Sequence, residues 1–159
     1  MEQLFRKFLG HYGEDVTREG LVDTPDRMTR MYKELFCGLH DPPPDIRIFT
    51  EEGNDSLVVV KDIPFYSVCE HHIIPFFGTT HLGYLPKDNR VAGLSKFVRV
   101  VRHFAARPQI QERLVSQIAD FIMEKVKPKG CVVYMEARHL CMEMRGARAP
   151  GTITVTNAI

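Results

Sequence analysis

The spacing of hydrophobic and polar positions changes several times along the chain, and each change marks an expected element. LVVVKDIPFYSV, residues 57–68, and THLGYLP, residues 80–86, are rich in β-branched and aromatic residues and read as strands. CEHHIIPFFG between them is turn-like, so the pair forms a long antiparallel hairpin closed by Pro86 and Lys87-Asp88-Asn89. The period then becomes helical. Phe97, Val100, Val101 and Phe104 share one face, and Lys96, Arg99 and His103 the other. Arg107-Pro108 breaks this helix. A second helix begins near Pro108, with Ile110, Leu114, Ile118, Phe121, Ile122 and Val126 as its apolar stripe, and stops at Pro128 and Gly130. CVVYMEARHLCM, from residue 131, reads as a strand, and TITVTNAI, residues 152–159, as its antiparallel partner.

Ahead of these elements, residues 2–22 read as short helical pieces broken at Gly10, Gly13 and Gly20. A firmer helix follows, with Thr24 as its cap and Pro25 at its first helical position. Gly38 and Asp41-Pro42-Pro43-Pro44 end it. The expected organisation is an N-terminal helical region, 1–44, and one structural unit, 45–159. The order strand-strand-helix-helix-strand-strand predicts an α+β layer, a four-stranded antiparallel sheet with two helices on one face. Its other face is left for further subunits to cover.

Composition narrows the class. The 159 residues suit one core of ordinary balance, 44% apolar and 26% charged. A net charge of +1 provides no global field to attract nucleic acid or an anionic membrane. The N-terminus lacks the pattern of a signal peptide, and no run approaches the roughly 20 apolar residues of a membrane span. A cytoplasmic location is expected. Cys37, Cys69, Cys131 and Cys141 are then thiols or metal ligands rather than a disulfide framework.

Two short elements carry metal chemistry. In Cys69-Glu70-His71-His72, a thiolate and an imidazole three apart on a turn suit Zn²⁺. In His139-Leu140-Cys141, residues two apart on a strand face the same side. Each element alone reads equally well as a core cysteine with nearby histidines. Together they favour zinc held by Cys69, His72 and Cys141. Structural zinc sites take four protein ligands, whereas catalytic sites leave a position for water, whose pKa the metal lowers to about 7. Three ligands therefore point to hydrolysis, with His71 and His139 free for proton transfer. A closed site with one of these histidines as fourth ligand remains the alternative.

Ser95 and Lys96 open a helix whose polar face adds Arg99, and a helix N-terminus with such charges suits phosphate. Arg145 lies four residues beyond Cys141, within reach of a phosphate near the metal. A solvated basic face is the plainer reading of these residues. Gln111 and Glu112 stand in the first turn of the next helix. Glu112 there either complements the helix dipole or accepts hydrogen bonds from the N1–H and 2-amino edge of guanine.

SVCEHHIIPFFGTTHLGYLPKD, GLSKFVRVVRHFAARPQIQERL, EARHLCMEMRG and DTPDRMTRMY together resemble the GTP cyclohydrolase I family. The resemblance implies the tunnelling fold, with subunits joined side by side into a β-barrel. It implies a homodecamer of two stacked pentamers with active sites between subunits. It implies zinc on Cys69, His72 and Cys141, and His71 and His139 as catalytic histidines. Glu112 would anchor guanine with Gln111 beside it. Ser95, Lys96, Arg99 and Arg145 would contact ribose and triphosphate, Arg27 would add a further triphosphate contact, and Ser95 would take part in the ribose rearrangement. The implied reaction opens the imidazole ring of GTP at C8, releases formate and recloses the product as 7,8-dihydroneopterin triphosphate.

Thr79 stands where the family commonly has Lys, and Glu143 adds a negative charge between Cys141 and Arg145. ARAPGTITVTNAI lacks part of the family's Ser/Lys-rich pattern, and the chain stops at Ile159, short of the usual tail. Two other readings compete: a tunnelling-fold enzyme acting on another purine or pterin, such as a nitrile reductase, and a non-catalytic zinc-stabilised assembly.

Overall fold

The computed structural model describes residues 1–53 and 56–159. Along the chain run α1 (Glu2–His11), α2 (Thr24–Leu35), β1 (Ile48–Thr50), β2 (Val58–Cys69), β3 (Pro75–Leu85) and β4 (Arg90–Ala92). There follow α3 (Leu94–Ala105), β5 (Pro108–Gln109), α4 (Gln111–Val126), β6 (Gly130–His139), α5 (Leu140–Glu143) and β7 (Ile153–Ala158). The main sheet has the order β5-β2-β3-β6-β7. Its four long strands are antiparallel neighbours, as the hydrophobic pattern predicts.

Alternation decides which face is buried. On β6, Cys131, Val133, Met135 and Ala137 point inward, while Val132 and Arg138 are exposed. Phe97, Val100 and Val101 of α3 and Leu114, Ile118 and Ile122 of α4 are fully buried over the inward face. Each such side chain contributes about 1.5–3 kcal/mol relative to leaving it in water. The opposite face keeps apolar groups in solvent: Val59, Tyr66, Ile153 and Val155 are all exposed, with Tyr66 stacked on Phe77 at 5.7 Å.

Two local features shape the sheet. The β2–β3 register shifts between Val60 and Ile63, where Asp62 takes a left-handed conformation. This bulge sets Ile63, Phe65 and Ser67 inward for the rest of β2. At Gly78 the neighbouring strand comes so close that a Cβ would lie 1.8 Å from the Glu136 carbonyl oxygen, so only glycine fits.

The N-terminal region docks on the C-terminal end of α3. The Gly38 N–H donates to Ala106 O at 3.0 Å, and Arg107 donates back to Gly38 O. A Cβ on Gly38 would lie 2.2 Å from His103 O. Phe5 of α1 stacks on Tyr32 of α2 at 5.8 Å.

Several expectations are corrected. The sheet is mixed and has five strands, because β5 adds to β2 in parallel, and a separate two-stranded ribbon joins β1 and β4. Residues this short in extended conformation have no periodicity to read. Helix α1 continues through Gly10. Asp23, not Thr24, occupies the cap position of α2, and no side chain caps it; the Thr24 hydroxyl instead donates to Gly20 O and accepts from Arg27. The hairpin connection is shorter than expected, because Cys69 ends β2 and Pro75 already begins β3. The strand read from residue 131 ends earlier than expected: β6 stops at His139, and Cys141 lies in the single helical turn α5.

Candidate metal centre

One end of the sheet gathers the candidate chemistry, and the strand pairing explains why. The short parallel pairing sets Cys69 against Gln109, two residues ahead of Gln111. The β3–β6 register sets Phe76 against His139. The end of β2, the start of β3, the end of β6 and the first turn of α4 therefore meet.

The ligand atoms of Cys69, His72 and Cys141 all lie within 4.8 Å of one another. Two thiolates and an imidazole at that separation fit a metal ion of the zinc type. Cys69 is buried, Cys141 half-buried and His72 exposed, so the cluster opens on one side. Burial raises the Cys141 thiol above its ordinary value, and a shared hydrogen bond with Cys69 adds to the effect. His139 and Cys141 do not share a strand face, because β6 ends at His139. Cys141 reaches Cys69 because the chain turns into α5 immediately after His139.

The turn between Cys69 and Pro75 is closely held. Ile73 N–H donates to Cys69 O at 2.8 Å, and Cys69 N–H to Ile74 O at 2.9 Å. Ile73 has φ of 54°, a left-handed conformation costly for a β-branched residue. Glu70 N–H donates to Gln109 O at 3.0 Å, and its carboxylate pairs with Arg113.

His71 approaches Cys69, with Nδ1 3.6 Å from the sulfur. His139 stacks on Phe76, the rings 4.6 Å apart and 4° from parallel. Its Nε2 lies 2.8 Å from Gln111 Oε1. Burial lowers the pKa of His139, and the nearby Glu112 carboxylate opposes this. Among the described residues, neither histidine belongs to the three-ligand cluster.

The remaining sequence candidates divide. Arg145 joins the cluster, 2.9 Å from His72 Nε2. Glu112 is exposed in the first turn of α4, close enough to His139 to act on its charge. Gln111 is buried, its amide committed to protein groups. Ser95, Lys96 and Arg99 lie on the first turns of α3, and Arg99 lines a cavity of about 440 Å³ with Cys37, Tyr66 and Arg102 that none of Cys69, His72 and Cys141 borders. Arg27 turns to its own helix start, donating to Gly20 O and Thr24 and facing Asp23 at 3.7 Å. The sequence reading missed Phe76 and Arg113. Neither has a local signal, since each acts on a partner brought near by strand register or helix docking. Glu143, flagged for its charge, pairs with Arg138 and not with Arg145.

No helix among the described residues is long and apolar enough to cross a membrane. The solved structure of an archaeosine synthase QueF-Like protein shares the fold, with a TM-score of 0.53 and 19% identity over 65% of this chain and 91% of that one. The GTP cyclohydrolase 1 of Carboxydothermus hydrogenoformans is 54% identical across 100% of this chain and 83% of its own length. That of Thermoanaerobacter pseudethanolicus is 53% identical across 100% and 85%. The family model for GTP cyclohydrolase I matches residues 1–159, and the chain belongs to that family.

Proposed function

We propose that the Cys69–His72–Cys141 cluster is the centre at which this GTP cyclohydrolase I family member opens the purine ring of GTP and forms 7,8-dihydroneopterin triphosphate with release of formate. The observation that carries this reading is the convergence of the three ligand atoms within 4.8 Å, beside two further histidines and Glu112. A Zn²⁺ ion held there would supply Lewis-acid activation of water at neutral pH.

The chain's own groups have separate tasks. The Glu112 carboxylate accepts from the N1–H and 2-amino group of guanine. A carboxylate is an acceptor only, so it pairs with a donor–donor edge and rejects adenine. His71 and His139 move protons during ring opening. Burial keeps His139 neutral near pH 7, which suits a base that later returns its proton. Arg145 stands at the metal cluster and neutralises phosphate charge.

Ser95, Lys96, Arg99 and Arg27 complete the ribose and triphosphate contacts, with Ser95 in the ribose rearrangement. Arg99 lines a cavity with Cys37, Tyr66 and Arg102 that lies apart from Cys69, His72 and Cys141. This supports a site completed by a neighbouring copy. The exposed apolar face at Val59, Tyr66, Ile153 and Val155 supports the same assembly, a cytoplasmic homodecamer of two stacked pentamers.

The test is incubation of zinc-loaded protein with GTP, followed by assay for formate and, after oxidation, a fluorescent pterin. Absence of both products from protein with zinc bound overturns the proposal.

A further inference from the structure

Gln111 is 1% exposed, and both polar atoms of its side chain have hydrogen-bond partners. Its Nε2 lies 3.1 Å from Met135 O on β6 and 3.0 Å from Thr154 O on β7. Both neighbours are backbone carbonyls and only accept. A flipped amide would aim Oε1 at two carbonyl oxygens in a buried place and lose both bonds, so the amide has one orientation. In that orientation Oε1 faces His139 Nε2 at 2.8 Å. An amide oxygen cannot donate, so the hydrogen between them belongs to His139 Nε2. A neutral imidazole carries one hydrogen, which leaves the lone pair on Nδ1.

Phe76 holds the ring in that plane. Rotating the imidazole by half a turn would put a carbon against Gln111 Oε1. The carbonyls of two strands thus determine, through one glutamine, which imidazole nitrogen is free.

We propose that Gln111 is a positioning residue that sets the Nε2–H tautomer of His139, and that Nδ1 is the atom through which His139 exchanges protons. This rests on the reading of His139 as a catalytic residue. It assigns Gln111 a task other than contact with guanine, because its amide has no donor left to offer. Glu112, the next residue, remains exposed for that contact.

Two measurements test the proposal. The first is ¹⁵N NMR of the zinc-loaded protein labelled at histidine, with the His139 signals assigned by their loss in His139→Asn. A hydrogen on Nε2 and a bare Nδ1 are expected; a hydrogen on Nδ1 overturns the proposal. The second is the kinetics of Gln111→Met, which keeps the volume and removes the amide. A fall in kcat of about 10–100-fold is expected, with KM for GTP little changed. A raised KM with kcat intact would make Gln111 a substrate contact and overturn the proposal. If the variant does not fold, the NMR result on the unaltered protein decides. Full turnover by His139→Ala would instead overturn the catalytic reading of His139, while the tautomer is still read from the NMR.

Discussion

Arg113 grips both carboxylate oxygens of Glu70, at 2.5 and 3.2 Å, and thereby ties the turn that bears Cys69 and His72 to the first turn of α4. Glu70 stands between Cys69 and His71, so this pair aims two neighbouring side chains at once. The Arg113 guanidinium holds the Glu70 carboxyl below its usual range. The pair therefore survives above that range and is lost as pH falls through the lowered value.

Replacing Arg113 by Ala should hardly move the thermal midpoint, because an exposed ion pair contributes little to folding. It should weaken zinc retention, because the turn loses its anchor. Competition with a chromogenic chelator measures this. Equal retention in the variant and the unaltered protein would show that the turn's backbone bonds alone hold it.

Metal removal should destabilise the fold as well as stop turnover. Cys69 ends β2 and Cys141 lies in α5, so an ion between them clamps segments far apart in sequence. A metal at 1,000 times its dissociation constant stabilises by about 4 kcal/mol. Calorimetry with and without chelator should show a lower midpoint in chelator. Cys141→Ser should melt close to the chelated protein and respond little to chelator.

Ile73→Gly separates strain from stability. Relief of the left-handed backbone returns about 1–2 kcal/mol, and the greater freedom of glycine in the unfolded chain costs about 1 kcal/mol. The expected thermal midpoint is nearly unchanged, while zinc retention falls because a stiff residue beside His72 has gone. A drop in stability of several kcal/mol, read from urea unfolding, would contradict this account.

His103 predicts a pH dependence. Burial depresses its pKa below 6.5, Arg107 adds to the shift, and Asp41 opposes it. Below 6.5 the unfolded chain takes up a proton that the folded chain refuses, so stability falls as pH drops through that window. His139 shifts in the same direction. His103→Gln should flatten the slope of unfolding free energy against pH in this range, and an unchanged slope would assign it to other groups.

Much of the fold was legible along the chain. The paired strands, the two covering helices and the uncovered sheet face follow from periods of two and 3.6, which neighbouring residues express by themselves. Cys69, His72 and Cys141 were legible as residue types suited to one metal. The path of Cys141 was not, because His139-Leu140-Cys141 reads equally well as the end of a strand and as the start of a turn.

Tertiary structure decided the rest. Whether Gln111 faces solvent or His139 depends on the docking of α4 over β6 and β7, contacts 24 and 43 residues away along the chain. The Phe76–His139 stack needs the β3–β6 register, and the Glu70–Arg113 pair needs β5 beside β2. Residue type and spacing alone determined that this chain carries cysteines and histidines suited to one metal and a carboxylate, Glu112, in the first turn of a helix. Which imidazole nitrogen is free and which glutamate is anchored are set by hydrogen bonds between segments that only packing brings together, and such bonds leave no periodic trace in the sequence.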